Sequence, residues 1–323
     1  MKKFLMPLII GLCSCTSERF NNQSDDDIIE VVKVSVVEMD VDGSESRWVY
    51  DSGNNFGWQS NDVIGIFPAG KGSQVEFPID IVEGETAETA VFDGGGWALK
   101  AGYTYASYSP YNLLSTKGNQ IRFSYANQCR KINANGFDLR ENMLKVAPPT
   151  SGENGMVYFG FYNIEAFFRM ELYGLPGNKA YKSLSLLAEG DVIPLEKEYD
   201  IFSIKKVEGS NNPTINDKVL SKSDCLTMNL MDAVPDSKGM ILVWMAVPAI
   251  GTDYGSFKVL VEDEDGKSYV GNLRDKNENL FDKEIKRNSR TTVKVTDFKQ
   301  SEASVNGSIN SWVSGGDFEA TAQ

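Results

Sequence analysis

The segment GIFPAGKG at residues 65–72 comes within one position of a phosphate-cradling loop, with Gly65 followed by Gly70 and Lys71 at the spacing that lets backbone N–H groups and a lysine hold a nucleotide's phosphates. Gly72 stands where a Ser or Thr hydroxyl would bind magnesium, and no helix-forming stretch follows to aim its N-terminus at phosphate. The sequence therefore predicts a glycine-rich β-turn. A second cluster, EDEDG at 262–266, offers closely spaced carboxylates and a glycine. A helix–loop–helix calcium site needs ligands at alternating positions, a distal Glu and helical flanks. Here both flanks alternate like strands, so a solvated turn is expected. The chain contains no histidine, which removes the commonest metal ligand and the side chain best suited to proton transfer near neutral pH. A Ser or Cys nucleophile would lack its usual base, and spacing marks out no Ser–Lys or carboxylate pair. The expectation is a non-enzyme with no catalytic residue, no metal and no cofactor.

Composition points away from nucleic acid as well. With 32 Lys+Arg against 45 Asp+Glu, the formal charge of −13 repels phosphate backbones and anionic headgroups. A chain of 323 residues exceeds the usual size of a single core, so two domains are the default. From Ile28 onward the pattern is short alternating apolar runs broken by turn residues every ~8–12 positions. VVKVSVVEMDV (31–41) alternates through Val32, Val34 and Val36, then resumes on the other parity through Val37, Met39 and Val41, which a bulge or a strand covered on both faces would explain. Strands are expected at 62–67, 75–82, 89–92, 97–99 and 103–111. APPTSGENG (147–155) combines prolines, glycines and polar residues as a linker would. Beyond it, MVYFGFYNIEAFFRMELYGL reads as two strands opening a second domain, followed by KSLSLLA, DIFSIKKV, MILVWMAVPA and TTVKVTDF. SFKVLVEDEDGKSYVGNL (256–273) is a hairpin turning at Asp265-Gly266. The fold class expected is all-β, two β-sandwich domains in tandem over residues 28–152 and 153–323.

The first residues, MKKFLMPLIIGLCSC, place Lys2 and Lys3 before an apolar run from Phe4 to Leu12, the order of an export signal. The run is too short to cross a ~30 Å bilayer as a helix, which needs ~20 residues, and Pro7 and Gly11 interrupt it. Leu12-Cys13-Ser14-Cys15 resembles the lipobox of bacterial lipoproteins, with Cys15 as the acylated residue because a small residue precedes it. Residues 1–14 are then a signal peptide and 15–27 an acidic tether whose Asp25–Asp27 run is similar to a surface-export signal. Cys129 and Cys225 are left; an oxidising envelope would permit a bridge, but the expected domain division separates them and two free, buried thiols are expected. Each of Trp48, Trp58, Trp97, Trp244 and Trp312, taken singly, is expected in a core, where exposed rings would instead stack on sugars.

The order of features in SRWVYDSGNNFGWQSNDVIGIFPAG and AVFDGGGWALKAGYTYASYSPYN resembles the N-terminal domain of the fimbrillin family, the pilins and pilin-like lipoproteins of Bacteroides-type bacteria. FYNIEAFFRMEL is similar to the strand that opens that family's second domain, and SEASVNGSINSWVSGGDFEATAQ to its terminal segment. The resemblance implies two transthyretin-like sandwich domains, export as an outer-membrane lipoprotein anchored at Cys15, trimming by a trypsin-like protease, and head-to-tail polymerisation with other fimbrial subunits by strand exchange, giving a cell-surface fimbria that supports adhesion to a receptor of unknown kind. Arg47, in the polar connection DVDGSESRWVYD, is the processing site this implies; Lys33 is a poorer one because it lies inside a strand. The implied donor strand lies within 303–323, with Val305, Ile309 and Val313 on one side of an extended chain and Trp312 sealing the groove's end. The alternative is a lipid-anchored module that never polymerises and binds glycan or protein through Trp58 and the tyrosines of 103–111.

Overall fold

Alternation of apolar and polar residues becomes strands throughout, and the fold is all-β. The computed structural model describes residues 28–29, 31–36, 40–41, 54–55, 58, 62–69, 74–80, 89–92, 99–112, 116–133, 136–138, 142–153, 155–251 and 255–301. A seven-stranded sheet runs, in spatial order, through Val75–Pro78, Val63–Pro68, Thr104–Ser109, Lys145–Ser151, Met156–Asn163, Val31–Val36 and Thr89–Phe92. Its two ends meet. Ile79, just past the first strand, bridges Phe92 of the last, and Asp80 N donates to the Val91 carbonyl at 2.9 Å. Closing a sheet in this way removes its free edges. Inside lie Val32, Val34, Trp58, Ile64, Ile66, Phe77, Phe92, Phe159 and Phe161, all buried.

A four-stranded sheet follows, in the order Met240–Val247, Ala166–Tyr173, Ser289–Val295 and Asp40–Val41. It faces a six-stranded sheet of Gln128–Cys129, Cys225–Ala233, Tyr181–Leu187, Lys258–Asp263, Ser268–Asn272 and Lys299–Ser301. Phe168, Met170 and Leu172 from the first interdigitate with Leu184, Leu186, Leu226, Met228, Val259 and Val261 from the second, the packing of a sandwich. The expected hairpin at 256–273 is present. Gly266 sits at φ +78°, and Asp263, fully buried, accepts from Asp265 N and Lys267 N at 2.9 and 2.8 Å. Its acidic tip is neutralised locally by a Lys179–Asp265 ion pair.

The segment APPTSGENG, expected as a linker, is strand and turn. Lys145–Ser151 is a barrel strand with a register shift between Ala147 and Thr150, which accommodates Pro148 and Pro149 because a bulge spares them the ladder hydrogen bonds they cannot donate. Glu153 and Met156 then close a turn, their N–H groups donating to each other's carbonyls at 2.9 and 3.0 Å. Met156–Asn163, expected to open the second domain, belongs to the barrel beside Lys145–Ser151 and Val31–Val36. From this hairpin the chain passes through Ile164–Glu165 into Ala166–Tyr173 of the four-stranded sheet. DIFSIKKV is likewise a turn; the strand is the preceding Ile193–Asp200, which pairs with Gln120–Ser124 and Asp217–Ser223.

Gly65, the first glycine of the phosphate-loop lookalike, lies within a barrel strand, where a Cβ would stand 2.3 Å from Tyr108 Cε1. The glycine makes room for a ring. Cys129 and Cys225 are free and half-buried rather than buried. Cys129 lies opposite Asn229 on the neighbouring strand, so Cys225, four positions back, is offset by about 13 Å at ~3.3 Å per residue. A disulfide tolerates about 7 Å between Cα atoms. Without reductant, peptide mapping after N-ethylmaleimide treatment in denaturant should find both thiols alkylated; a Cys129–Cys225 linked peptide would contradict the register.

Candidate functional site

The segment that begins at Ile28 is paired along its described length, and from both sides over Val32–Ser35. Ile28–Ile29 pairs with Leu99–Lys100, and Ile29 packs so closely on Gly152 that a Cβ there would lie 1.9 Å from Ile29 Cδ1. Val31–Val36 then runs parallel to Met156–Phe161, in register from Val31 with Met156 to Val36 with Phe161. On its other side it is antiparallel to Thr89–Phe92. Its sequence alternates, so Val32 and Val34 point into the barrel, where they are 1% and 0% exposed. Burial of each is worth about 1.5–3 kcal/mol. The parity change beyond Val36 coincides with a change of sheet, because Asp40–Val41 pairs with Ser289–Arg290 of the four-stranded sheet. One short N-terminal segment thus fills a slot in the barrel and reaches the sandwich.

The slot is lined by large rings. Trp58 makes edge-on contacts with Phe92 at 5.2 Å and Phe161 at 5.1 Å between centroids, and Lys145 Nζ lies 4.3 Å over the indole. Trp58 is 0% exposed, as are, very nearly, Tyr105 and Tyr108. The glycan-stacking alternative therefore loses Trp58, Tyr105 and Tyr108, and of that set Tyr103, at 45%, is exposed and Tyr111 half-buried. Cys15, Arg47, Val305, Ile309, Trp312 and Val313 lie outside the described residues. The last described strand, Lys299–Ser301, sits at the outer side of the six-stranded sheet beside Ser268–Asn272. Among the described residues, no group of three or more Cys, Asp or Glu side chains is placed to hold a metal ion.

Where the long chain passes from barrel to sandwich there is a buried polar cluster that the sequence reading missed. Glu165 Oε2 accepts from Leu144 N at 2.9 Å, and the Glu165 carbonyl accepts from Asn288 N at 2.9 Å. Asn288 Oδ1 accepts from Asn163 N and Nδ2 at 3.2 and 3.3 Å. Around them stand Tyr125 and Tyr199, their hydroxyls 2.6 Å apart, and Lys197, whose Nζ donates to Asp217 Oδ2 at 2.8 Å; Arg287 pairs with the same carboxylate at 3.2 Å. Burial dominates the electrostatics. It pushes Glu165 up to about 8 against the backbone bonds and Lys197, which pull it down, and it lowers Lys197. Both tyrosine hydroxyls are raised, again chiefly by burial. A charged residue between two apolar runs is the one signal in NIEAFF, and it does not distinguish a buried acid from an exposed one.

Val34→Ala should destabilise the chain by about 1–3 kcal/mol, through lost burial and the cavity left behind, whereas Tyr158→Ala, on the outer wall and 53% exposed, should cost about 1 kcal/mol or less; urea midpoints check the ratio. Glu165 carries a second prediction. Its folded pKa lies above its unfolded value of 4.5, so the neutral acid is favoured by folding and stability falls as pH rises from about 5 to about 8. Asp217, held low by Lys197 and Arg287 against the opposing effect of burial, stabilises the fold throughout that window and loses its contribution only as pH falls into acid. Glu165→Gln should flatten the stability profile between pH 5 and 8; an unchanged slope would place the ionisation elsewhere.

No protein-family model matches the chain, and no curated protein matches it. Solved structures do. It is similar, at 12% identity and TM-score 0.49, to a candidate cell adhesion protein from Bacteroides uniformis, covering 86% of this chain and 97% of that one. A fimbrial protein from Bacteroides ovatus matches at 11% identity and TM-score 0.37, over 84% of this chain and 49% of the other. The tip fimbrial protein Mfa3 from Porphyromonas gingivalis, with a C-terminal truncation, matches at 10% identity and TM-score 0.36, over 84% and 98%.

Proposed function

We propose that the protein is a structural subunit of a cell-surface fimbria, assembled by exchanging the Val31–Val36 strand for one donated by a neighbouring subunit. The observation that carries this reading is the placement of that strand. It is N-terminal, short, inserted between two others of an otherwise closed barrel, and parallel to one of them. Its loss would leave the backbone groups of Met156–Phe161 and Thr89–Phe92 unpaired and the Trp58, Phe92, Phe159 and Phe161 rings facing water. An extended strand from another molecule meets both needs at once. The tail at 303–323 supplies such a strand, with Val305, Ile309 and Val313 replacing Val32 and Val34 and Trp312 closing the end. Head-to-tail donation does not close on itself and therefore builds a filament.

On this reading the chain is exported, acylated at Cys15 and held at the outer membrane, and a trypsin-like protease cuts after Arg47. The cut releases the strand together with its anchor, coupling freedom from the membrane to exposure of the slot. The role is mechanical and adhesive, with no bond-making chemistry assigned to the subunit. N-terminal sequencing of surface-assembled material should give chains beginning at Trp48, and Arg47→Ala together with deletion of 303–323 should each abolish ladders on gels. Polymers whose chains still begin at Cys15, or unimpaired polymerisation without the tail, would overturn the mechanism.

A further inference from the structure

Met240–Val247 is the outer strand of the four-stranded sheet and pairs only with Ala166–Tyr173 among the described strands. An outer strand left open is a template for another chain, and in a subunit that works by strand addition it would compete with the intended slot. Here groups from Asp236, Arg130 and Gln128, mostly side-chain ones, occupy its backbone. At one end Asp236 N donates to the Met240 carbonyl at 2.9 Å while Asp236 Oδ1 accepts from Met240 N at 2.9 Å. Arg130 Nε donates to the Leu242 carbonyl at 3.0 Å. Gln128 does the work of a whole peptide unit: Nε2 donates to the Ala246 carbonyl at 2.8 Å and Oε1 accepts from Ala246 N at 2.9 Å. The occupied groups belong to residues 240, 242 and 246, the alternate positions whose N–H and C=O face away from the sheet.

The masking segment is itself anchored. Gln128 and Cys129 pair in parallel with Met228 and Asn229 of the opposite sheet, Arg130 N donates to the Asn229 carbonyl at 2.8 Å, and Gln128 Nε2 also reaches the Tyr125 carbonyl at 3.0 Å. Gln128 is 2% exposed, so its carboxamide is committed to this task and is withdrawn from solvent. We propose that Gln128 and Arg130 are specificity residues for assembly: they close the Met240–Val247 edge to strand addition and leave the barrel slot as the place a neighbour's strand can enter. The partner they exclude is the same edge of a second copy, since two identical outer strands pair antiparallel about a twofold axis into a closed dimer, a dead end for a filament. The inference rests on the strand-exchange reading for its purpose. The masking itself acts in the unprocessed chain and is tested there.

The full unprocessed chain, with Arg47 intact, is compared with Gln128→Ala, Arg130→Ala and the double variant by sedimentation velocity over a concentration series, with hydrogen exchange of residues 240–247 read in parallel. The wild type should be monomeric, and the double variant should self-associate at least roughly tenfold more tightly, with exchange at 240–247 slowing as the dimer forms and the association surviving deletion of 303–323. A folded double variant that stays monomeric, or a dimer that disappears with the tail, would overturn the proposal. Should the double variant fail to fold, Gln128→Glu decides: it keeps an acceptor for Ala246 N but offers Ala246 O no donor, and a folded, monomeric Glu variant contradicts the proposal as the double would. Failure of Arg47 processing or of polymerisation would leave this result untouched, so the two readings stand or fall separately.

Discussion

Backbone hydrogen bonding in a closed barrel is the constraint from which the other features follow. Seven strands satisfy one another only while each is present, and Val31–Val36 places two fully buried valines, Val32 and Val34, between its neighbours. Its departure exposes two edges, where the loss of an outer strand of an open sheet would expose one. The energetic contrast between filled and empty slot is correspondingly large: two buried valines, two ladders and the aromatic lining all change state together. On the proposed strand-exchange reading, a large contrast would make exchange directional, because an emptied slot has no internal route back to satisfaction.

The junction beneath the slot joins the barrel to the rest of the molecule. Met156–Asn163 flanks the removable strand and continues through Ile164 and Glu165 into Ala166–Tyr173, the central strand of the sandwich. Residues 116–133, early in the chain, contribute Gln120–Ser124, Tyr125 and Gln128 to surfaces made mostly by later residues. Barrel and sandwich are therefore interlocked by chain that crosses between them. Phe67, Tyr108, Leu144 and Tyr162 of the barrel side share a second apolar cluster with Ile121 and Tyr199 of the paired strands Gln120–Ser124 and Ile193–Asp200.

Much of this was legible in the sequence where the signal is local. Strand type, the Asp265-Gly266 hairpin and the alternation of Val32 and Val34 all follow from neighbours within a few residues. What was not legible depends on partners far along the chain. Pro148 and Pro149 read as a linker because nothing nearby shows the bulge that admits them to a strand. Nothing in VVKVSV says that its partner is MVYFGF, or that they run parallel. Glu165 and Gln128 have the composition of surface residues; each is buried because distant backbone groups, Leu144 N for one and Ala246 N and O for the other, need what their side chains offer. The indole of Trp58 was rightly expected in a core, and its burial removed the principal contact of the alternative function.

The central claim is that Val31–Val36 must leave the barrel for the subunit to assemble, and a reversible lock tests it most directly. Val34 and Ala90 lie opposite each other on antiparallel strands, both facing inward, where Cβ atoms stand ~4.5–5.5 Å apart. In a chain carrying Val34→Cys and Ala90→Cys, with Cys129 and Cys225 replaced by Ser, oxidation ties the strand into its slot. The account predicts that the oxidised, protease-treated chain forms no polymer and that adding reductant restores polymerisation to the level of the unlocked control. Polymerisation of the locked chain at the control's rate, with the disulfide shown intact, would contradict it.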